Sequence, residues 1–207
     1  MSQAPRLPLA AKVAYTAWMA VWIPVYWVAN GPQNFLWLCD FANFVVLLAI
    51  WRESARLASS QLLGVAVIQA LWAADFFYRL IGGRHLIGGT EYMFDATQPL
   101  SLRALSLFHL WTVPLLWWMC RRVGYDRRGL RLQVGFTAVL FPTSVWVGDA
   151  ERNLNWLYAP FGRTDLGLPP WVAAALGVLV VSVVVYWPTD WLMRRRPREL
   201  PSPHAGL

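Results

Sequence analysis

Charge is scarce in this chain, and lysine is almost absent. Only 14% of the 207 residues are charged, against roughly 25% in an average soluble domain, and Lys12 stands alone beside seventeen arginines. Retinal-type chromophores need a lysine within the membrane for their Schiff base, so that chemistry is excluded. Histidine is nearly as rare. Of His85, His109 and His204 only His109 lies inside an apolar run, which removes a zinc hydrolase built on several imidazoles at depth. The two cysteines, Cys39 and Cys120, offer no metal-binding spacing. They fall near opposite ends of the expected bundle, too far apart for the Cα approach of about 7 Å that a disulfide requires. Glycine-rich nucleotide motifs and a nucleophile elbow are missing as well. No feature calls for a cofactor.

What is abundant is apolar surface. Hydrophobic residues make up 57% of the chain, and there are fourteen tryptophans, many near the ends of apolar runs, where amphipathic rings seat at headgroup depth. The net charge of +7 comes from arginines gathered in short connections. No basic stripe interleaved with aromatics occurs on a polar segment, so nucleic acid is not an expected partner, and membrane lipid is.

Six apolar runs have spanning length: Val13 to Ala29, Asn34 to Trp51, Leu57 to Leu80, Leu102 to Cys120, Leu130 to Val147 and Trp171 to Trp191. Each holds about 17 to 24 residues, the range a helix needs to cross roughly 30 Å of hydrocarbon. The expectation is an all-α, polytopic transmembrane helix bundle over residues 13–192, with a short segment at 1–12 and a basic tail at 193–207. MSQAPRLPLAAK looks like the start of a signal peptide, but no small-x-small cleavage site follows, and the first run reads as a retained span. Pro24 and the bounding Lys12 leave it short, so an interfacial helix is the alternative. Placing the N-terminus inside puts thirteen Lys and Arg on the inner side and five on the outer (Arg79, Arg84, Arg103, Arg152 and Arg163). The positive-inside rule then sets both termini in the cytoplasm of a plasma-membrane protein. The outer segment IGGRHLIGGT reads as flexible turn chemistry, because no strand precedes it and no helix opens from it.

That orientation gathers polar residues in one layer. Cys39 and Asp40 lie five or six residues into the second run, about 8 to 9 Å along a helix begun at Asn34, and Asn43 shares their face. Asp75 lies five residues from the outer end of the third run, among Trp72, Phe76 and Arg79. Ser106 and His109 start the fourth run, and Thr143 and Ser144 end the fifth near Asp149. Above them ERNLNWLYAP offers Asn153, Asn155, Trp156 and Tyr158, suited to a lid or a headgroup contact. Each residue also has a plainer reading. Asp75 and Arg79 form an i, i+4 pair; His109 and Asn43 can bridge helices; Cys39 can be a small buried hydrophobe; the outer loop can be an interfacial anchor. Shared depth is what those readings leave unexplained, since an unpaired carboxylate in hydrocarbon costs several kcal/mol.

FLWLCDFANFVVLLAIW, FHLW and NLNWLY, in that order, resemble the Cys-containing segment, mid-helix His and Asn-aromatic outer loop of YwaF-like bacterial integral membrane proteins. The likeness covers about 120 residues, from Asn34 to Pro160. That group is related to eukaryotic multi-pass acyltransferases and androgen-induced transmembrane fatty-ester hydrolases. The resemblance implies Cys39 as nucleophile and His109 as base. A carboxylate, Asp40 or Asp75, could orient the imidazole. The chain departs from the family pattern at Trp37 and Asp40, around the cysteine. Three functions stay open on these residues: acyl transfer or ester hydrolysis on a lipid, non-enzymatic binding or transport of a small amphiphile, and a structural subunit of a membrane complex.

Overall fold

The computed structural model describes residues 7–148, 150–160 and 167–195. Arg6, Asp149, Arg163, His204 and the basic tail from 196 onward lie outside the described residues. Among the described residues there is no strand, and every apolar run is helical. The helices are α1 (Leu9–Asn30), α2 (Leu38–Arg52), α3 (Ala55–Gly82), α4 (Leu100–Leu105), α5 (Phe108–Val123), α6 (Arg128–Val147), α7 (Pro170–Val180) and α8 (Trp187–Arg195). A π-helical stretch, Val181–Tyr186, joins α7 and α8 into one rod.

Four units are long and apolar enough to cross a membrane: Ala55–Gly82, Leu100–Val123, Arg128–Val147 and Pro170–Arg195. The first two helices do not reach that standard. α1 has 22 residues but carries Lys12 and dilutes its aliphatic content with Tyr, Trp and Pro24. α2 has only 15 residues, about 22 Å of rise, because its run does not begin helical at Asn34. Pro32 opens a 3₁₀ turn over Pro32–Leu36, Trp37 is extended (φ −60°, ψ 135°), and the α-helix starts at Leu38.

Taking α4 with α5 and α7 with α8 as single units, successive units alternate in direction, so α1, α3 and α6 end, and α2, α4 and α7 begin, at one end of the bundle. This is the loop end. At the opposite, turn end, Glu53 takes a left-handed conformation (φ 49°) after α2, and the Ser54 hydroxyl accepts the Leu57 amide to cap α3. Lys12 Nζ reaches Glu53 Oε1 at 2.7 Å and ties α1 to that corner.

α3 is the hub and packs against α2, α5 and α6, while α7 packs on α6. α1 presents Tyr15, Met19, Trp22 and Tyr26, spaced 4, 3 and 4 apart on one face, to the core. Trp22 is fully buried among Trp18, Tyr26, Phe35, Phe44 and Phe108. The tryptophans therefore divide. Trp22 is core, whereas Trp146, Trp171 and Trp187 stand exposed on the periphery beside Val139, Leu179 and Val184. Both cysteines are free thiols.

Candidate functional site

The start of α2 is built by a residue 117 positions away. Asn155 Oδ1 accepts the Leu38 amide at 2.9 Å, and its Nδ2 donates to the Leu36 carbonyl (2.8 Å) and Ser144 Oγ (3.1 Å). One side chain thus satisfies backbone groups on both sides of the break at Trp37 and fastens them to the end of α6. Cys39 and Asp40 consequently occupy the first turn of α2, Asp40 about 3 Å from its start, where the helix dipole favours negative charge. Asp40 is 3% exposed, and its Oδ2 accepts from Asn34 Nδ2 at 2.6 Å. Cys39 is half-buried against the aromatic core. Asn43, a turn deeper, faces α1 instead: its carbonyl and Oδ1 accept from Tyr15 Oη at 3.1 and 3.3 Å, while Nδ2 is buried without a partner.

α4 and α5 are separated at Ser106 and Leu107, and the Ser106 carbonyl there accepts the His109 backbone amide at 3.3 Å. His109 takes it with its ring: Nδ1 donates to Ser106 O at 2.7 Å, fixing the tautomer and leaving Nε2 as the acceptor. The imidazole is stacked against Trp72 (4.5 Å between centroids, 12° apart) and Phe108 (4.0 Å). Trp72 Nε1 donates to Tyr92 Oη at 3.2 Å, and Tyr26 Oη shares a hydrogen bond of 2.5 Å with Ser106 Oγ. Burial holds the Tyr92 phenol well above its ordinary range. Ser106 and Trp72 oppose the shift by hydrogen bonding, and the nearby Cys39 and Asp40 add to it. Residues from α1, α2, α3, the α3–α4 connection and the α4–α5 break therefore surround one locus. Among the described residues no hydrogen bond joins Cys39 to His109.

Asp75 belongs to a different structure. It is fully buried, and rather than pairing with Arg79 it organises the connection that follows α3. Oδ1 accepts the amides of Leu86, Ile87 and Gly88 at 2.8, 2.7 and 3.0 Å. Oδ2 takes His85 Nδ1 at 2.9 Å and the Thr90 hydroxyl. IGGRHLIGGT is thus an anion nest whose anion is the protein's own carboxylate. Arg79 lies over the Phe94 ring (5.5 Å), and Arg103 donates to the Met93 carbonyl (3.0 Å).

The other outer connection is held by its own side chains. Asn153 Oδ1 accepts the amides of Tyr158 and Ala159, both at 3.0 Å, and Nδ2 donates to Ala159 O at 2.7 Å. Asn153, Asn155 and Trp156 all have positive φ (43°, 55° and 56°), a costly conformation for a tryptophan. It sets Trp156 edge-on to Trp37 (6.3 Å) and directly over Gly89, where a methyl group would stand 2.9 Å from the indole. The two connections therefore close on each other.

Sequence reasoning missed Asn34, Tyr26, Tyr92, His85, Thr90 and Gln69. Tyr26 had a signal, the 4, 3, 4 spacing of the α1 stripe; the loop residues had none. Gln69, one turn from Trp72 on α3, is 1% exposed, and neither end of its carboxamide has a partner. Among the described residues no group of three or more His, Cys, Asp and Glu is placed to hold a metal ion.

Fold and site define an all-α protein with four helices long and apolar enough to cross a membrane and a cluster of buried polar groups at its loop end. No protein-family model matches the chain, no curated protein matches it, and no solved structure matches it.

Proposed function

We propose that the chain is an integral membrane protein that binds the polar end of a small amphiphile among Asp40, Trp72, Tyr92, Ser106 and His109. Its loop end faces away from the cytoplasm. The four long units cross the bilayer on their own, and α1 and α2 cross sheltered against them, giving six spans with both termini cytoplasmic. The basic residues, thirteen against five, support that orientation.

The observation that carries the binding reading is Gln69. A buried amide with neither end paired costs about 1–3 kcal/mol for each lost partner, and it lies a turn from the Trp72–His109 stack. A ligand with donor and acceptor groups removes that cost. Gln69→Leu separates the readings: in nanodiscs it should keep or raise thermal stability and abolish saturable amphiphile binding. Undiminished binding by the Leu variant refutes the proposal.

A second reading rests on the His109 tautomer. With Nδ1 committed to the Ser106 carbonyl, Nε2 presents the lone pair that a general base needs. In this reading Cys39 is the nucleophile of an acyl transfer or ester hydrolysis, as the resemblance to YwaF-like proteins implies, and the thiol meets the imidazole only with substrate bound. Labelling by a lipid-like electrophilic probe should vanish in Cys39→Ala and fall in His109→Ala. Equal labelling of Cys39→Ala and wild type removes it.

A further inference from the structure

The other buried or half-buried carboxylates of the described chain have their charge compensated. Glu53 has Lys12 at 2.7 Å, Asp190 has Arg194 and the Tyr125 hydroxyl, and Asp126 has Arg128 at 2.9 Å and Arg56 at 3.6 Å. Asp75 has three backbone amides, His85 and Thr90. Asp40 is the exception. Its hydrogen bond is to an uncharged amide, Asn34 Nδ2, and among the described residues no cation lies within ion-pair distance. Leaving a buried carboxylate without a counter-charge is costly, and such groups in other membrane helices mark ion and substrate sites.

We infer that the ligand of this site carries an ammonium-type cationic head, held by the Asp40 carboxylate; this rests on the amphiphile-binding reading above. The surroundings fit that charge. The phenol oxygens of Tyr26 and Tyr92 lie within electrostatic range of Asp40, and Trp72 donates to Tyr92. An anionic head meets Asp40 with like charge, and the Arg79 and Arg103 guanidinium groups are turned to Phe94 and to the Met93 carbonyl. A neutral head leaves the carboxylate charge uncompensated. Asn34, the partner of Asp40, lines an open depression of about 380 Å³ at the loop end together with Asn30, Trp37, Glu151, Arg152 and Leu154. Glu151 adds negative charge to its rim, and the Arg152 guanidinium there donates to the Asn30 carbonyl at 3.0 Å.

The test uses the full chain in nanodiscs of zwitterionic lipid, with empty nanodiscs subtracted, and titrates dodecylammonium, dodecanol and dodecanoate at pH 7 by calorimetry. Dodecylammonium should bind at least tenfold more tightly than dodecanol, with dodecanoate weakest. Asp40→Asn should bring the ammonium-to-alcohol ratio within about twofold of one, while Asp126→Asn at the opposite end leaves it unchanged. Equal affinity for dodecylammonium and dodecanol in the wild type overturns the cationic head and leaves amphiphile binding standing. No saturable binding of any of the three overturns both. The wild-type ratio decides the matter even if Asp40→Asn fails to fold.

Discussion

Asp75→Asn tests whether this carboxylate serves its helix or the connection after it. In the structure one oxygen accepts three consecutive backbone amides, and the other accepts His85 and Thr90. Hydrogen bonds to a charged acceptor contribute about 1.5–3 kcal/mol each, against about 0.5–1.5 for neutral ones. Asparagine keeps an oxygen for the three amides but lowers each from the first class to the second. Because the three share one atom the losses do not add fully, and about 2–3 kcal/mol is expected in total. Its new NH₂ also opposes a hydroxyl and an imidazole N–H that previously donated. Converted at 1.4 kcal/mol per tenfold, the amides of Leu86, Ile87 and Gly88 should lose roughly 30- to 150-fold of hydrogen-exchange protection. Amides of the α3–α6 core near Gln61 and Gln133 should be unaffected. Arg79→Gln is the control. If Asp75 existed to neutralise Arg79, both variants would disturb the end of α3 alike and leave residues 86–88 protected. Unchanged exchange at those three amides in Asp75→Asn refutes the nest.

Asn155→Ala removes three hydrogen bonds that hold the break before α2 to the end of α6, two of them to backbone groups. A destabilisation of about 2–4 kcal/mol is expected, read as a lower thermal midpoint in nanodiscs, and a loss under 1 kcal/mol contradicts the clamp. Gly89→Ala places a methyl against the Trp156 indole at a residue whose φ of 94° already excludes most side chains. Acrylamide quenching of tryptophan should rise as Trp156 is displaced. Tyr186→Phe removes the 2.8 Å hydrogen bond to Thr137 that pins the π-helical stretch to α6; a cost of about 0.6–1.7 kcal/mol is expected in unfolding from mixed micelles. Asp126, in the turn between α5 and α6, has its carboxyl held below the usual range mainly by hydrogen bonding to Arg128, with Arg56 adding a smaller electrostatic share. A depressed folded value means the stabilisation is present above about pH 4 and is lost as pH falls through that lower value. Asp126→Asn should flatten this acid limb of the stability curve and change little at pH 7; an unchanged acid limb contradicts it.

The all-α class and four of the six expected span-length units were legible in the sequence, because both depend on composition summed over twenty residues. The boundaries of α2 were not. Asn34 to Trp51 reads as one apolar run, and nothing local to it reveals that Asn155, more than a hundred residues on, stabilises a break at Trp37. The tryptophans misled in the same way. Their number fits interfacial belts, yet the 4, 3, 4 stripe that buries Trp22 was available in α1. Asp75 shows the limit of pair rules: an i, i+4 spacing makes contact with Arg79 feasible, but three backbone amides and two side chains outcompete one mobile guanidinium for a buried carboxylate.

Depth along a helix is additive, at about 1.5 Å per residue, so a sequence can state which polar groups share a level. Which of them meet depends on helix rotation and on loops that fold over the ends. Asn43 is turned to Tyr15 on α1, whereas Ser106 and His109 meet Tyr26 and Trp72 because α4 and α5 part between them. That break has a consequence for chemistry. At that break the Ser106 carbonyl accepts both the backbone amide and Nδ1 of His109, which fixes the tautomer and sets the imidazole against Trp72. Asp40 is placed at a helix start by a distant asparagine and given a neutral partner. On α3, one turn from Trp72, both ends of the buried Gln69 carboxamide are left without a partner. Packing alone gives no reason for that, whereas a bound polar head gives one.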